Sequence, residues 1–134
     1  MKLLAISFLT LSLLACNARQ NNFSPPANAF DAGREFLDAF FKGDFERAEF
    51  YMLKEDENNK ILSRLKKEYR ERSEHERKQF ADASINVFDI EEVSPDVTII
   101  SYRNSYDKIA RKLKVVGADG TWMVDFKYTF NGNL

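Results

Sequence analysis

One cysteine and one histidine stand among the 134 residues, and these two scarcities exclude a good deal of chemistry. A lone thiol, Cys16, closes no internal disulfide and builds no zinc site of several thiolates. A lone imidazole, His75, excludes a metal site of several histidines. The segment Ser73-Glu74-His75-Glu76-Arg77-Lys78-Gln79 would carry the zinc-protease pair only with histidine in place of Gln79. Set in a run of charges, His75 reads as a surface residue, so no Ser-His-Asp or Cys-His nucleophile can be assembled. Neither G-x-G-x-x-G nor a P-loop occurs, which removes nucleotide binding by those motifs. Charge of one sign is lacking as well. Twenty Lys and Arg stand against 21 Asp and Glu, for a net charge of −1, so no basic field exists to hold nucleic acid or anionic lipid. The expectation is no cofactor, no metal and no nucleic acid. The apolar run from Leu3 to Ala15 falls short of the roughly 20 residues that a bilayer-spanning helix needs.

What is present suffices for one packed domain: 44% hydrophobic residues, 13% aromatic, and twelve Phe. Met1-Lys2 followed by the short apolar run is signal-peptide grammar, expected over residues 1–15. Leu13-Leu14-Ala15-Cys16 resembles the lipobox of bacterial lipoproteins, in which a diacylglycerol is joined to the cysteine before the signal is cut. That resemblance implies lipidation of Cys16, a membrane partner held through the N-terminal lipid, and a place in the bacterial cell envelope, facing the periplasm or the cell exterior. A secretory signal with an incidental cysteine is the other reading. Two or three acyl chains hold firmly, since each buried methylene contributes about 0.8 kcal/mol. Residues 16–27, polar and closing on Pro25-Pro26, read as a flexible tether.

Over residues 28–134 the period of the apolar residues changes once. Asn28 is placed to cap a helix with Asp31 at its third position, and Phe30, Gly33, Phe36, Leu37, Phe40 and Phe41 follow at helical spacing. Gly43 ends that helix, and Asp44 caps a second one that carries Phe45, Ala48, Tyr51 and Met52 inward. A single longer helix is predicted from Asn58 to Asp82, with Ile61, Leu62, Leu65, Tyr69 and Phe80 as its stripe and a solvated, charge-rich middle. Beyond Ala83 the period is two. Strands are predicted around Ile85 and Val87, from Val97 to Tyr102, from Ile109 to Val115, and from Trp122 to Phe130, with turns at Ser94-Pro95-Asp96 and Ala118-Asp119-Gly120. In the last strand Trp122 belongs to the core, while Thr121, Met123, Asp125, Lys127 and Thr129 form a wet face. Helices followed by an antiparallel meander make an α+β domain, N-terminal helices on a four-stranded sheet.

The stretch Gly33-Arg34-Glu35-Phe36-Leu37-Asp38-Ala39-Phe40-Phe41-Lys42-Gly43-Asp44-Phe45-Glu46-Arg47-Ala48 resembles the opening of nuclear-transport-factor-2-like (cystatin-like) domains. The stretch from Lys112 to Asp125, with Asp119-Gly120 and Trp122-Met123-Val124-Asp125, is similar to their closing hairpin. Together the resemblance covers about residues 28–130. It implies a curved sheet wrapped around helices to leave a conical pocket, a fold that hosts catalysis, ligand capture or partner binding and so names no reaction.

Within that fold the aromatic residues Phe36, Phe40, Tyr102 and Phe126 are the candidates for a pocket wall. Asp89 is the one carboxylate singled out for acid/base work, because it interrupts the Ile85 and Val87 face and points either into the cone or into water. The expectation is a membrane-tethered, non-enzymatic binding module for a small apolar ligand or a protein segment. The alternative is a pocket enzyme, a lyase, isomerase or hydrolase with Asp89 and tyrosine donors. A homodimer that buries the open sheet face is a third reading. The lipid expectation has a direct test: palmitate should label the wild-type protein and not Cys16→Ser, whereas an unlabelled wild type would refute lipidation.

Overall fold

The computed structural model describes residues 22–131; the expected signal peptide and Cys16 lie outside them. Helix α1 (Ala29–Phe41) begins where Asn28 Oδ1 accepts the Asp31 N–H at 2.8 Å, and the Asp31 carboxylate accepts the Ala27 N–H at 3.0 Å. It buries Ala32, Phe36, Leu37 and Ala39. Gly33 sets how closely α1 approaches the sheet, since a Cβ there would lie 2.6 Å from Ile100 Cδ1. The helix stops at Gly43, whose φ of +73° places it in the left-handed region, with Asp44 N–H donating to the Ala39 carbonyl at 2.9 Å. Asp44 then caps α2 (Phe45–Tyr51), which buries Phe45, Ala48 and Tyr51. Both expected helices are present.

The last residues of the expected tether are packed rather than free. Phe23 meets Phe50 with ring centroids 5.5 Å apart, and the Ser24 carbonyl accepts the Tyr51 hydroxyl at 2.8 Å. Both contacts join the expected tether to α2.

The predicted long helix is two: α3 (Asp56–Glu71) and α4 (Glu74–Ala81). The break is a capping box. Ser73 Oγ accepts the Glu76 N–H at 3.2 Å, and Glu76 Oε2 accepts the Ser73 N–H at 2.9 Å, so Ser73 starts a new helix where Arg72 has turned extended. The turn swings Phe80 back toward α1, where its ring lies 4.6 Å from that of Phe41.

The sheet is antiparallel and four-stranded, in the order β1 (Ile85–Ser94), β2 (Val97–Asn104), β3 (Ala110–Ala118), β4 (Thr121–Asp125). With the helices preceding it, the domain is α+β, and the sheet is open. Registers Ile100↔Leu113 and Val115↔Val124 align the buried residues on the face that α1 covers. A bulge at Phe88, between the pairs Val87↔Tyr102 and Asp89↔Ser101, interrupts the long edge strand.

The fourth strand is shorter than its alternating pattern predicts. It ends at Asp125, and Phe126–Phe130 is a 3₁₀ helix. The cause is Asn58, fully buried in the first turn of α3. Its Oδ1 accepts the Lys127 N–H at 2.7 Å, and its Nδ2 donates to Asp125 Oδ1 at 3.2 Å and to the Leu53 carbonyl at 3.1 Å. The Lys127 amide is thereby taken out of any strand ladder. Asp125 and Thr129, expected on a wet face, are both buried. The outer edge of β4 is covered as well, by Leu53 N–H donating to the Val124 carbonyl at 2.8 Å. Trp122 packs against the core but is only half-buried, so its truncation should cost less than the about 3–5 kcal/mol of a fully buried indole. Asn58→Ala should be the more damaging change, because it strips the amide from the buried Asp125 carboxylate and the Lys127 N–H, at about 1–3 kcal/mol for each orphaned group. A lowered urea midpoint checks this; an unchanged midpoint would show that the junction is not held by Asn58.

Candidate functional site

A cavity of about 160 Å³ opens where α1, α3 and α4 face the ends of β2 and β3 and the 3₁₀ helix. Its aromatic walls follow from the elements just described. The stop at Gly43 leaves Phe40 and Phe41 at the end of α1. The capping box at Ser73 brings in Phe80, and the 3₁₀ turn brings in Phe126 and Phe130. Phe40 is the hub, with edge-on ring contacts to Phe80 at 6.0 Å and to Phe126 at 5.5 Å.

Of the four residues expected to form a pocket wall, Phe40, Tyr102 and Phe126 line this cavity. Phe36 does not. It is fully buried behind the wall, its ring 4.7 Å from that of Phe126, and acts as core. Asp89 lies elsewhere, exposed on β1 opposite Ser101 and outside the cavity lining. His75 is exposed in α4, and Cys16 lies outside the described residues. Among the described residues no cluster of three or more His, Cys, Asp or Glu is arranged to hold a metal ion.

The polar side of the cavity comes from residues that the apolar periods did not single out. Asn104 ends β2 and folds the following loop onto itself, its Oδ1 accepting the N–H groups of Tyr106 at 2.9 Å and Asp107 at 3.0 Å. Asp107 thereby faces Arg111, which donates to both its oxygens, at 3.0 and 2.7 Å. These hydrogen bonds hold the Asp107 carboxyl below its ordinary range; such a group is an anchor for a cation, not a proton donor near neutrality. Tyr102, paired in register with Arg111, is buried, and burial pushes its phenol upward, so the hydroxyl remains a donor at neutral pH. At the C-terminus of α3, Arg72 donates to the Tyr106 hydroxyl at 3.2 Å and lies 5.0 Å above the Phe80 ring. One signal for this cluster was readable: Asn104-x-x-Asp107 is an Asx-turn pattern, and Asp107 and Arg111 stand four apart. Arg72 was hidden inside the charged run.

A larger groove of about 520 Å³ runs between α1 and β1, past Leu37, Ile85, Val87 and Ile100. The charges on its rim are already matched, Lys42 to Asp38 at 2.7 Å and Arg34 to Asp31 at 2.8 Å. It presents apolar surface without converging polar groups, so the aromatic cavity is the better candidate. The chain matches no protein-family model, and no curated protein matches it.

The Asp107 and Arg111 pair sets an acid limb to stability. Because the carboxyl is lowered in the folded state, its stabilisation is fully present above the unfolded value of about 3.9 and is lost as pH falls through the folded value. Asp107→Asn should lower stability at neutral pH by about 1–3 kcal/mol and lessen the decline below about pH 4. Urea midpoints measured against pH check this, and curves that stay parallel down to pH 2 would contradict it.

Proposed function

We propose that this domain is a non-enzymatic binding module of the bacterial cell envelope, tethered through a lipid on Cys16, that holds a small apolar ligand in its aromatic cavity. The observation that carries the reading is the cavity itself: aromatic walls from six separate elements, with a few convergent polar groups, is the usual make-up of a ligand site. The resemblance of the Gly43-Asp44 helical hairpin and the closing Trp122-Met123-Val124-Asp125 strand to nuclear-transport-factor-2-like domains supports a cavity between helices and sheet. An enzymatic reading has less support. Asp89 is exposed, and Asp107 is tied to Arg111, which leaves neither poised as a general acid.

Native mass spectrometry of the protein released from its own membranes tests the reading. The wild type should carry a small molecule. Leu65→Trp, which fills space at the cavity wall, should lose it with the thermal midpoint unchanged or raised. A wild type without bound mass, or a variant that retains it, would contradict the proposal. Turnover of any substrate by the intact fold would contradict its non-enzymatic part.

A further inference from the structure

The cavity that supports the binding reading also constrains what it takes. We infer that the ligand is a compact monoanion: a single flat ring carrying one carboxylate, held ring-inward with the carboxylate on the Arg72 guanidinium. The inference rests on the cavity being a binding site.

Size is the first argument. A void of about 160 Å³ matches the engineered apolar cavity of about 150 Å³ that admits one benzene, so the apolar body is one ring and not a lipid chain or a fused system. Shape and wall chemistry agree. Phe40, Phe80 and Phe126 meet edge to face, the arrangement that a further aromatic ring extends.

Charge is the second argument. Arg111 is bound by both lobes of the Asp107 carboxylate. Arg72 has no carboxylate within ion-pair distance among the described residues. Its one hydrogen bond goes to the neutral Tyr106 hydroxyl, and its face lies over Phe80 and Tyr106. A guanidinium has five N–H donors in a planar fork that suits a carboxylate, and most of those of Arg72 remain available. Stacking on two rings holds the fork in place before a ligand arrives. Tyr102 lines the same cavity and carries a second donor, its hydroxyl. Glu68, one turn before Arg72, lines the same cavity, so its four charged side chains, Glu68, Arg72, Asp107 and Arg111, sum to zero. One carboxylate is accommodated there more readily than the two charges of a phosphate monoester.

Calorimetric titration of the full chain with benzoate, toluene and benzylamine tests the inference. Benzoate should bind at least tenfold more tightly than toluene. Arg72→Gln should erase that difference, and Arg72→Lys should restore part of it. Equal binding of benzoate and toluene, untouched by Arg72→Gln, would overturn the carboxylate assignment and leave the cavity reading standing. Tightest binding of benzylamine would overturn it in favour of a cation over the aromatic rings. Failure of all three rings to bind would overturn the inference and the cavity reading together.

Discussion

Asn58 is fully buried at the start of α3, and its amide joins segments that the sequence keeps far apart: the Leu53 carbonyl, the Asp125 carboxylate and the Lys127 N–H. A buried amide left without partners is costly, so these three bonds fix one another. The buried Asp125 is further compensated by Lys127 at 3.1 Å and Lys114 at 3.7 Å, and Lys127 also pairs with Glu55. The consequence reaches well beyond the junction. Because the backbone leaves the sheet at Asp125, the chain coils, and Phe126 and Phe130 line the cavity without Tyr128, where a strand would carry all three on one face.

The cavity is thus a product of three chain-stopping devices, not of an apolar pattern alone. Gly43 ends α1 below Phe40 and Phe41, and a Cβ on it would lie 2.5 Å from the Tyr69 ring. Ser73 and Glu76 end one helix and start another, which returns Phe80. Asn58 ends the sheet. Each device costs the domain regular backbone hydrogen bonding and replaces it with side-chain partners. Rings from separate elements instead meet edge to face at the wall of the cavity, with Arg72 stacked over Phe80 and Tyr106.

Local punctuation made much of the fold legible. Asn28, Gly43 and Asp44 are cap residues whose effect depends on near neighbours only, and the α1–α2 hairpin follows from them. The period-two residues of β2 and β3 likewise give the sheet and its covered face. The break at Ser73 was also written locally, as Ser73-x-x-Glu76, but the charges on both sides continue the helical pattern and hide it. The short β4 was not legible. Phe126, Tyr128 and Phe130 alternate as a strand does, and the residue that overrules them, Asn58, lies 67 positions from Asp125. The same division holds at the cavity. Phe40, Tyr102 and Phe126 were visible as aromatics on elements that face each other, while Phe36 differs only in depth, which no period reports. Arg72 looked like any other solvated charge until the chain turned beside it.

The central claim is that the space among Phe40, Tyr102 and Phe126 is an open cavity that admits a single ring, not a core that closes in solution. Crystals of the protein under xenon pressure test this most directly, because the aromatic side of the cavity offers xenon an apolar site. The account predicts one well-occupied xenon site bounded by those three side chains and displaced when benzoate is soaked in. A xenon-free map in which side chains have closed the space among these three residues would contradict it.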